Sequence, residues 1–130
     1  MKRIISAILA AILLLALAGC NAQSMSNSWS HTSLNNEMTT NGWKIQAKSI
    51  DGYASRKLDF NAENLVAFHV DNTNSAGEVL LVISQDSVSQ TFTISPSFSG
   101  RLDLGKFSPG KITVRLEFKK AKDIDLTIVW

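Results

Sequence analysis

The chain is poor in the residues that most often build cofactor or catalytic sites. It contains one cysteine, Cys20, so no internal disulfide can form. It contains two histidines, His31 and His69, and the first falls in a polar segment outside the expected domain. A metal site built on two or three imidazoles is therefore not expected. Glycine-rich phosphate loops and a Gly-x-Ser-x-Gly nucleophile turn are also absent, and we expect a protein that is not an enzyme.

The first nineteen residues are unlike the rest of the chain. Lys2 and Arg3 precede an almost unbroken run of Ile, Leu and Ala over residues 4–17. This run is shorter than the about 20 apolar residues that span a membrane. It fits the apolar region of a secretory signal, which is about 7–15 residues long. We therefore expect residues 1–19 to be a signal peptide.

The end of this leader carries a specific motif, Leu17-Ala18-Gly19-Cys20. The motif resembles the lipobox of bacterial lipoproteins. The resemblance implies that a diacylglycerol is attached to the Cys20 thiol and that the chain is cleaved between Gly19 and Cys20. The alternative is an ordinary signal peptide cut after Ala18 or Gly19, which leaves a chance cysteine. Apart from this covalent lipid, we expect no cofactor.

The lipobox resemblance also implies a location. The mature chain would be held by its lipid on the extracytoplasmic face of the cell membrane. Asn21 follows the cysteine, and in this family the absence of Asp at that position favours the outer membrane if the cell has one. The membrane is thus the first expected partner.

Charge of neither sign dominates the mature chain. The full sequence has 13 Lys and Arg and 11 Asp and Glu, and removal of Lys2 and Arg3 leaves 11 of each sign. A formally neutral protein has no global field that steers it to a polyanion. We therefore expect no nucleic-acid partner.

Residues 20–41 comprise the lipidated cysteine and a stretch rich in Ser, Asn and Thr. No period of 2 or 3.6 persists there, and such a composition buries little apolar surface. The pattern predicts a flexible tether between lipid and domain. Trp29 and Leu34 are exceptions, and we expect them to pack on the edge of the domain, although Trp29 could instead lie at the level of the lipid headgroups.

From residue 42 to residue 130 the chain alternates apolar and polar residues, with turn signals every 8–12 residues. About eight short strands in this pattern are typical of an all-β sandwich or barrel. We expect one antiparallel β-sandwich of the jelly-roll type. Its expected turns include Asp51-Gly52 and residues 119–123.

No part of the mature chain shows a helical period, so residues 65–70 are predicted as a strand. In that strand Val66, Phe68 and Val70 would face inward, and His69 would face outward. The run from Val79 to Ile83 is apolar on both faces, which predicts a central, covered strand.

Three groups of residues are candidate binding sites. Trp43 and Tyr53 could form a platform on which sugar rings stack, although aromatic residues in strands are more often core or edge cover. A loop with oxygen ligands at alternating positions could hold Ca²⁺, although these residue types also form plain turns; its candidate ligands are Asp71, Thr73, Ser75 and Glu78. The third group is a small basic turn that could touch anionic lipid or wall polymer, or could simply be solvated: Lys119, Lys120 and Lys122.

These observations favour a surface-tethered binding module for a carbohydrate or protein ligand. The alternative is an accessory or structural envelope lipoprotein that contacts a protein partner. An enzyme is the third hypothesis, and it would need His69 or a pair of Asp residues in a cleft with converging polar groups.

Overall fold

A computed structural model describes residues 24–130. The predicted signal peptide, with Gly19 and Cys20, lies outside the described residues. The described chain forms eight strands and one short helix, which are β1 (Ser24–Thr32), β2 (Asn35–Thr39), β3 (Gly42–Phe60), α1 (Ala62–Ala67), β4 (His69–Thr73), β5 (Ala76–Gln85), β6 (Val88–Thr93), β7 (Ser97–Arg101) and β8 (Gly110–Val129). Among these residues no helix is long and apolar enough to cross a membrane.

Two long strands, β3 and β8, run through the whole molecule and pair with each other along almost their full length. An extended strand rises about 3.3 Å per residue, so Trp43 and Arg56 would lie more than about 40 Å apart if β3 were straight. The Arg56 guanidinium carbon instead lies 4.6 Å from the centroid of the Trp43 ring. The strand therefore doubles back, and its partner β8 bends with it.

The bend divides one hydrogen-bonded antiparallel sheet into two facing layers. Layer A consists, in order, of β1, residues 49–60, residues 110–118, β5 and β6. Layer B consists of β2, residues 42–47, residues 124–129, β4 and β7. If the eight segments from residue 42 onward are numbered in chain order, layer B reads 1-8-3-6 and layer A reads 2-7-4-5. This is the jelly-roll order, so the predicted all-β jelly-roll sandwich is confirmed.

One bulge and two residues with left-handed backbone lie in β8 at the bend. Buried side chains alternate from Ile112 to Phe118 and again from Ile124 to Ile128, with Ala121 buried between the two runs. Lys120 and Asp123 have φ angles of 48° and 50°, in the left-handed region. A bulged residue of this kind bends its strand and changes which face the following side chains occupy. The turns predicted at residues 119–123 and at Asp51-Gly52 are wrong, because both segments lie within continuous strands.

The space between the layers is filled by apolar side chains that alternate along every long strand. At the end of the sandwich opposite the bend, Phe60 packs between Phe68 and Trp130, with ring centroids 5.9 and 5.6 Å away. The predicted covered strand, 79–83, lies inside β5 with paired neighbours on both sides. Its outward side chains, Leu80 and Val82, remain half-buried rather than covered by another layer.

The prediction that the mature chain has no helix is wrong at α1. Asn61 caps this helix: its side chain accepts a hydrogen bond from the Asn64 backbone, and the Asn64 side chain accepts one from the Asn61 backbone. This reciprocal capping overrides the weak strand pattern of the segment. As a result Val66 is 59% exposed instead of facing inward, while Phe68 and Val70 are buried as predicted.

The predicted flexible tether is wrong for residues 24–39. β1 pairs with β3 over nine residues, and β2 pairs with β3 over five, so both belong to the sandwich. Trp29, Leu34 and Met38 are the apolar residues of this stretch that pack against the core. The serines between them are exposed, whereas Asn36 is half-buried and accepts a hydrogen bond from Trp43. A polar composition with sparse apolar residues at strand spacing is enough here, because the edge of an existing sheet supplies the backbone partners.

Candidate functional site

The predicted aromatic platform is wrong, because Trp43 faces the space between the two layers and Tyr53 faces away from it. Trp43 is only 1% exposed, points into the core, and donates from Nε1 to Asn36 Oδ1 at 2.7 Å. Tyr53 lies on the outer face of layer A, where the Arg115 guanidinium carbon sits 3.9 Å from its ring centroid. A core tryptophan and a tyrosine whose ring is covered by arginine cannot jointly stack on a sugar.

The predicted Ca²⁺ ligands do not converge either. Asp71 and Thr73 lie on the outer face of β4, whereas Ser75 donates to Asp123 Oδ2 at 2.5 Å. Glu78 lies on β5, with its carboxylate 3.9 Å from Lys119 Nζ. Over residues 24–130 no three His, Cys, Asp or Glu side chains come together as metal ligands. The alternative, a plain hairpin loop, is also wrong: only Asn74 and Ser75 lie between β4 and β5, and these two strands do not pair with each other.

Within residues 24–130, the arrangement most similar to a catalytic triad consists of His69, Asp71 and Ser99. His69 Nε2 lies 3.1 Å from one oxygen of Asp71, and Ser99 Oγ hydrogen-bonds to the other. The carboxylate thus separates the imidazole from the hydroxyl. A nucleophilic serine needs its base at hydrogen-bonding distance from Oγ, with the acid behind the base, so this order does not activate Ser99.

A groove at the bend of the sandwich combines the most suitable groups for ligand binding. We call it the bend groove, and it has a volume of about 410 Å³. Three short stretches line it, one each from β1, β3 and β8: residues 30–32, 49–51 and 120–122. It presents two ammonium groups, an imidazole, a carboxylate and several hydroxyl groups, from Lys120, Lys122, His31, Asp51, Ser30, Thr32 and Ser49.

The two lysines of this groove form no ion pair within the described residues, although the Asp51 carboxylate also lines the groove. Lys119, which is paired with Glu78 across β5 and β8, is the one lysine of the cluster with a carboxylate within 4 Å, that of Glu78. Within residues 24–130, neither Lys120 nor Lys122 makes such an ion pair. Both side chains are exposed, so their positive charge is available to a ligand.

The bulge that contains Lys120 packs against the connection between β4 and β5 and against the start of β5. Ser75 donates its backbone N–H to the Lys122 carbonyl at 2.9 Å. Gly77 has φ of 80°, and a Cβ placed there would lie 2.2 Å from the Lys120 carbonyl oxygen. Only glycine allows this approach, so the position of Lys120 depends on it.

Two buried amides, which the sequence pattern placed in an exposed loop, fix this connection. Asn72 donates to the Ile94 carbonyl at 2.9 Å and to Asn74 Oδ1 at 3.1 Å. Asn74 in turn donates to the carbonyls of Ala76 and Gly77 at 2.9 and 3.3 Å. Alternation with Val70 is the one sequence signal that could have shown Asn72 to face inward.

Arg56 is the other buried polar residue that the sequence analysis missed. It is 3% exposed, and burial lowers its pKa below the ordinary value. Its position in β3 alternates with Ala54 and Leu58, which signals an inward side chain, but residue type argued against burial.

Comparison of the chain with models of known protein families and with curated proteins gave no match. The structure brings together several groups that could bind a ligand. Of these, the bend groove is the site with free charge, hydroxyl groups and a defined concave shape.

Proposed function

We propose that this protein is a lipid-anchored, extracytoplasmic binding module that recognises an anionic carbohydrate polymer of the cell envelope through the bend groove. The carrying observation is the pair Lys120 and Lys122, displayed by a bulge and lacking acidic partners within residues 24–130. Ammonium groups contact carboxylate or phosphate groups of such a polymer as point charges. The hydroxyl groups of Thr32 and Ser49 hydrogen-bond to each other, and their remaining donor and acceptor capacity, with that of Ser30, suits hydrogen bonding to sugar hydroxyl groups.

The anchoring part of the proposal rests on the lipobox resemblance of residues 17–20. It is supported by the positive start, the apolar run and the small residues before the cysteine. A lipid with two or three acyl chains on Cys20 would hold the domain stably, since single chains bind only marginally.

A protein partner is the second candidate, and one observation favours it. β1 is an edge strand of nine residues without Lys, Arg, Asp, Glu or Pro, and among the described residues it pairs with β3 alone. Natural edge strands usually carry charges or proline that block pairing with another chain. An extended segment of a partner could add to this edge.

The test uses the mature chain, residues 20–130, with Cys20→Ser to leave it unlipidated. Its binding is measured to polygalacturonate, poly(glycerol phosphate) and neutral dextran. The variant Lys120→Gln with Lys122→Gln removes the groove charges. The control variant Lys57→Gln with Lys111→Gln removes the same charge from the end of layer A away from the bend, where both lysines are exposed.

We expect binding to one or both anionic polymers and none to dextran. Two lost charge contacts of up to about 1 kcal/mol each weaken binding by about tenfold in the groove variant. The control variant should bind like the parent. Equal losses in the two variants would mean nonspecific attraction, and the absence of binding to either polyanion would favour the protein-partner candidate.

A further inference from the structure

The chain between the proposed lipid and the sandwich is short. Because β1 begins at Ser24, only residues 21–23 separate it from Cys20. Four Cα-to-Cα steps span at most about 14 Å when fully extended. A lipid on Cys20 would therefore bring Ser24 close to the membrane surface, in contrast to the distance that a tether of about twenty residues would allow.

The strand register shows which end of the sandwich contains Ser24. Ser24 is opposite Lys57, which is opposite Thr113, which is opposite Ser84. This row crosses layer A at the end away from the bend. The same end of the sandwich contains the last residues of β3, the helix α1, the turn between β5 and β6, and Val129 at the end of β8. We call it the anchor end.

All of the large apolar side chains that are exposed in residues 24–130 lie at this end. They are Met25, Val66, Val129 and Val88, with exposed fractions of 60, 59, 45 and 37%. They come from four different elements, β1, α1, β8 and β6. Single exposed apolar residues are ordinary on a protein surface, but among residues 24–130 the bend and the rest of both outer faces contain none, which makes the distribution informative.

A shallow apolar groove opens beside α1 at the anchor end. It has a volume of about 400 Å³ and is lined by α1 and the segment after β7, with Leu65, Val66, Leu102, Leu104 and Phe107 as its apolar residues. Basic and acidic side chains are balanced at the anchor end as a whole. Lys57, Arg101, Lys106 and Lys111 offset Asp59, Glu63, Asp86 and Asp103. An end without net charge can approach a lipid surface through its apolar groups.

We propose that the anchor end docks on the lipid bilayer, with Val66, Val88, Val129 and Met25 entering the headgroup region. The inference rests on the proposed lipid anchor, and it adds an orientation: the bend groove points away from the membrane. Each exposed apolar side chain that leaves water adds to the hold of the acyl chains.

The experiment uses the lipidated full-length protein, reconstituted in vesicles of phosphatidylcholine and phosphatidylglycerol. Single cysteines are introduced as Val66→Cys, Val88→Cys and, near the bend, Ala76→Cys. Each is labelled with an environment-sensitive fluorophore. Because the proposal requires Cys20 to carry lipid, only the introduced thiol should react. Quenching by spin-labelled lipid reports on depth, and vesicle flotation separately reports on anchoring.

We expect a blue shift and lipid quenching at positions 66 and 88 and neither at position 76. In Val66→Asp with Val88→Asp, measured with a label at Met25→Cys, quenching should fall by at least half while flotation is retained. Flotation with equal, weak quenching at all positions would overturn the docking and leave the anchor intact. Loss of flotation in the parent protein, or Cys20 reacting with the label, would overturn the anchor and the docking with it.

Discussion

The Arg56 guanidinium carbon lies 4.6 Å from the centroid of the Trp43 ring, in the space where the two halves of β3 face each other. Arg56 Nη1 donates to Asn27 Oδ1 at 2.6 Å and to the Ser55 carbonyl at 2.8 Å, while Nε is buried without a hydrogen-bond partner. Within residues 24–130, no carboxylate lies within 4 Å of the group. The sandwich thus encloses a positive charge, and the face of the Trp43 ring and the Asn27 side-chain amide stabilise it.

Replacement of Arg56 by Met should leave the free energy of unfolding unchanged within about 1 kcal/mol or raise it, because a buried charge costs desolvation that an apolar chain of similar length does not. Arg56→Ala should lower it by about 2 kcal/mol or more, since it leaves a gap beside Trp43. Urea denaturation compares the two variants. A larger loss for Met than for Ala would contradict this account.

The contribution of Arg56 to the pH dependence of the free energy of unfolding has a defined sign. Burial lowers the pKa of Arg56, so the folded form releases its proton before the unfolded form does, and stability gains from this group only as pH rises through the lowered pKa. Arginine stays charged throughout the ordinary range. The difference in stability between Arg56→Met and the parent should therefore be constant from about pH 6 to pH 9.

Removal of residues 24–40 should destabilise the domain strongly. A chain of residues 41–130 loses the packing of Trp29, Leu34 and Met38 and exposes the outer edge of β3. Each large apolar side chain contributes about 1.5–3 kcal/mol when fully buried, so the partial burial of three amounts to several kcal/mol, against a typical total of about 5–15 kcal/mol. Urea unfolding of chains 24–130 and 41–130 tests this. Equal urea midpoints for the two chains would mean that residues 24–40 do not stabilise the domain, as expected of a flexible tether.

Asn72→Ala should cost about 1–3 kcal/mol, because the Ile94 carbonyl loses its amide donor inside the sandwich. Thr73→Ala is the matched control, since the adjacent residue is exposed on β4 and its substitution should stay within about 0.5 kcal/mol. Thermal unfolding monitored by circular dichroism measures both. Equal small effects would mean that water replaces the amide without cost.

Gly77→Ala should cost more than about 2 kcal/mol, because a Cβ meets the Lys120 carbonyl oxygen and the positive φ is strained for alanine. Gly105→Ala should cost less than about 1 kcal/mol, since its nearest neighbour is the Asp103 side chain, which can move. Any folded Gly77→Ala protein should also bind anionic polymers more weakly than Gly105→Ala, because Lys120 is displaced. Unchanged stability in Gly77→Ala would show that β8 can shift freely.

The sequence predicted the fold class and most of the inward-facing residues, because alternation is a direct consequence of pleated strands. The predicted ends of strands were wrong where turn-forming or helix-capping residues lie in segments whose structure is decided by contacts with distant strands. Asp51-Gly52 and the Lys119–Asp123 segment contain turn residues, yet these residues bend continuous strands instead of ending them. Asn61 and Asn64 form a capping pair that periodicity does not report.

The candidate site was only partly predictable. The basic character of Lys119, Lys120 and Lys122 is visible in the sequence, but the groove also needs β1 and β3, which lie about 90 and about 70 residues away along the chain. The aromatic prediction failed because Trp43 and Tyr53 have opposite orientations once β3 bends. Long-range register, which decides such neighbours, is not encoded in any single stretch of residues.

The position of β8 has a consequence for the order in which the protein can be made. It is flanked by β3 on one side and by β4 and β5 on the other, so it is an interior strand of both layers although it is the last of the described strands. Neither layer can close until residues 110–129 have left the ribosome. Until then the nascent chain would lack its complete fold, which is the state in which a polypeptide can still be threaded through a narrow translocation channel.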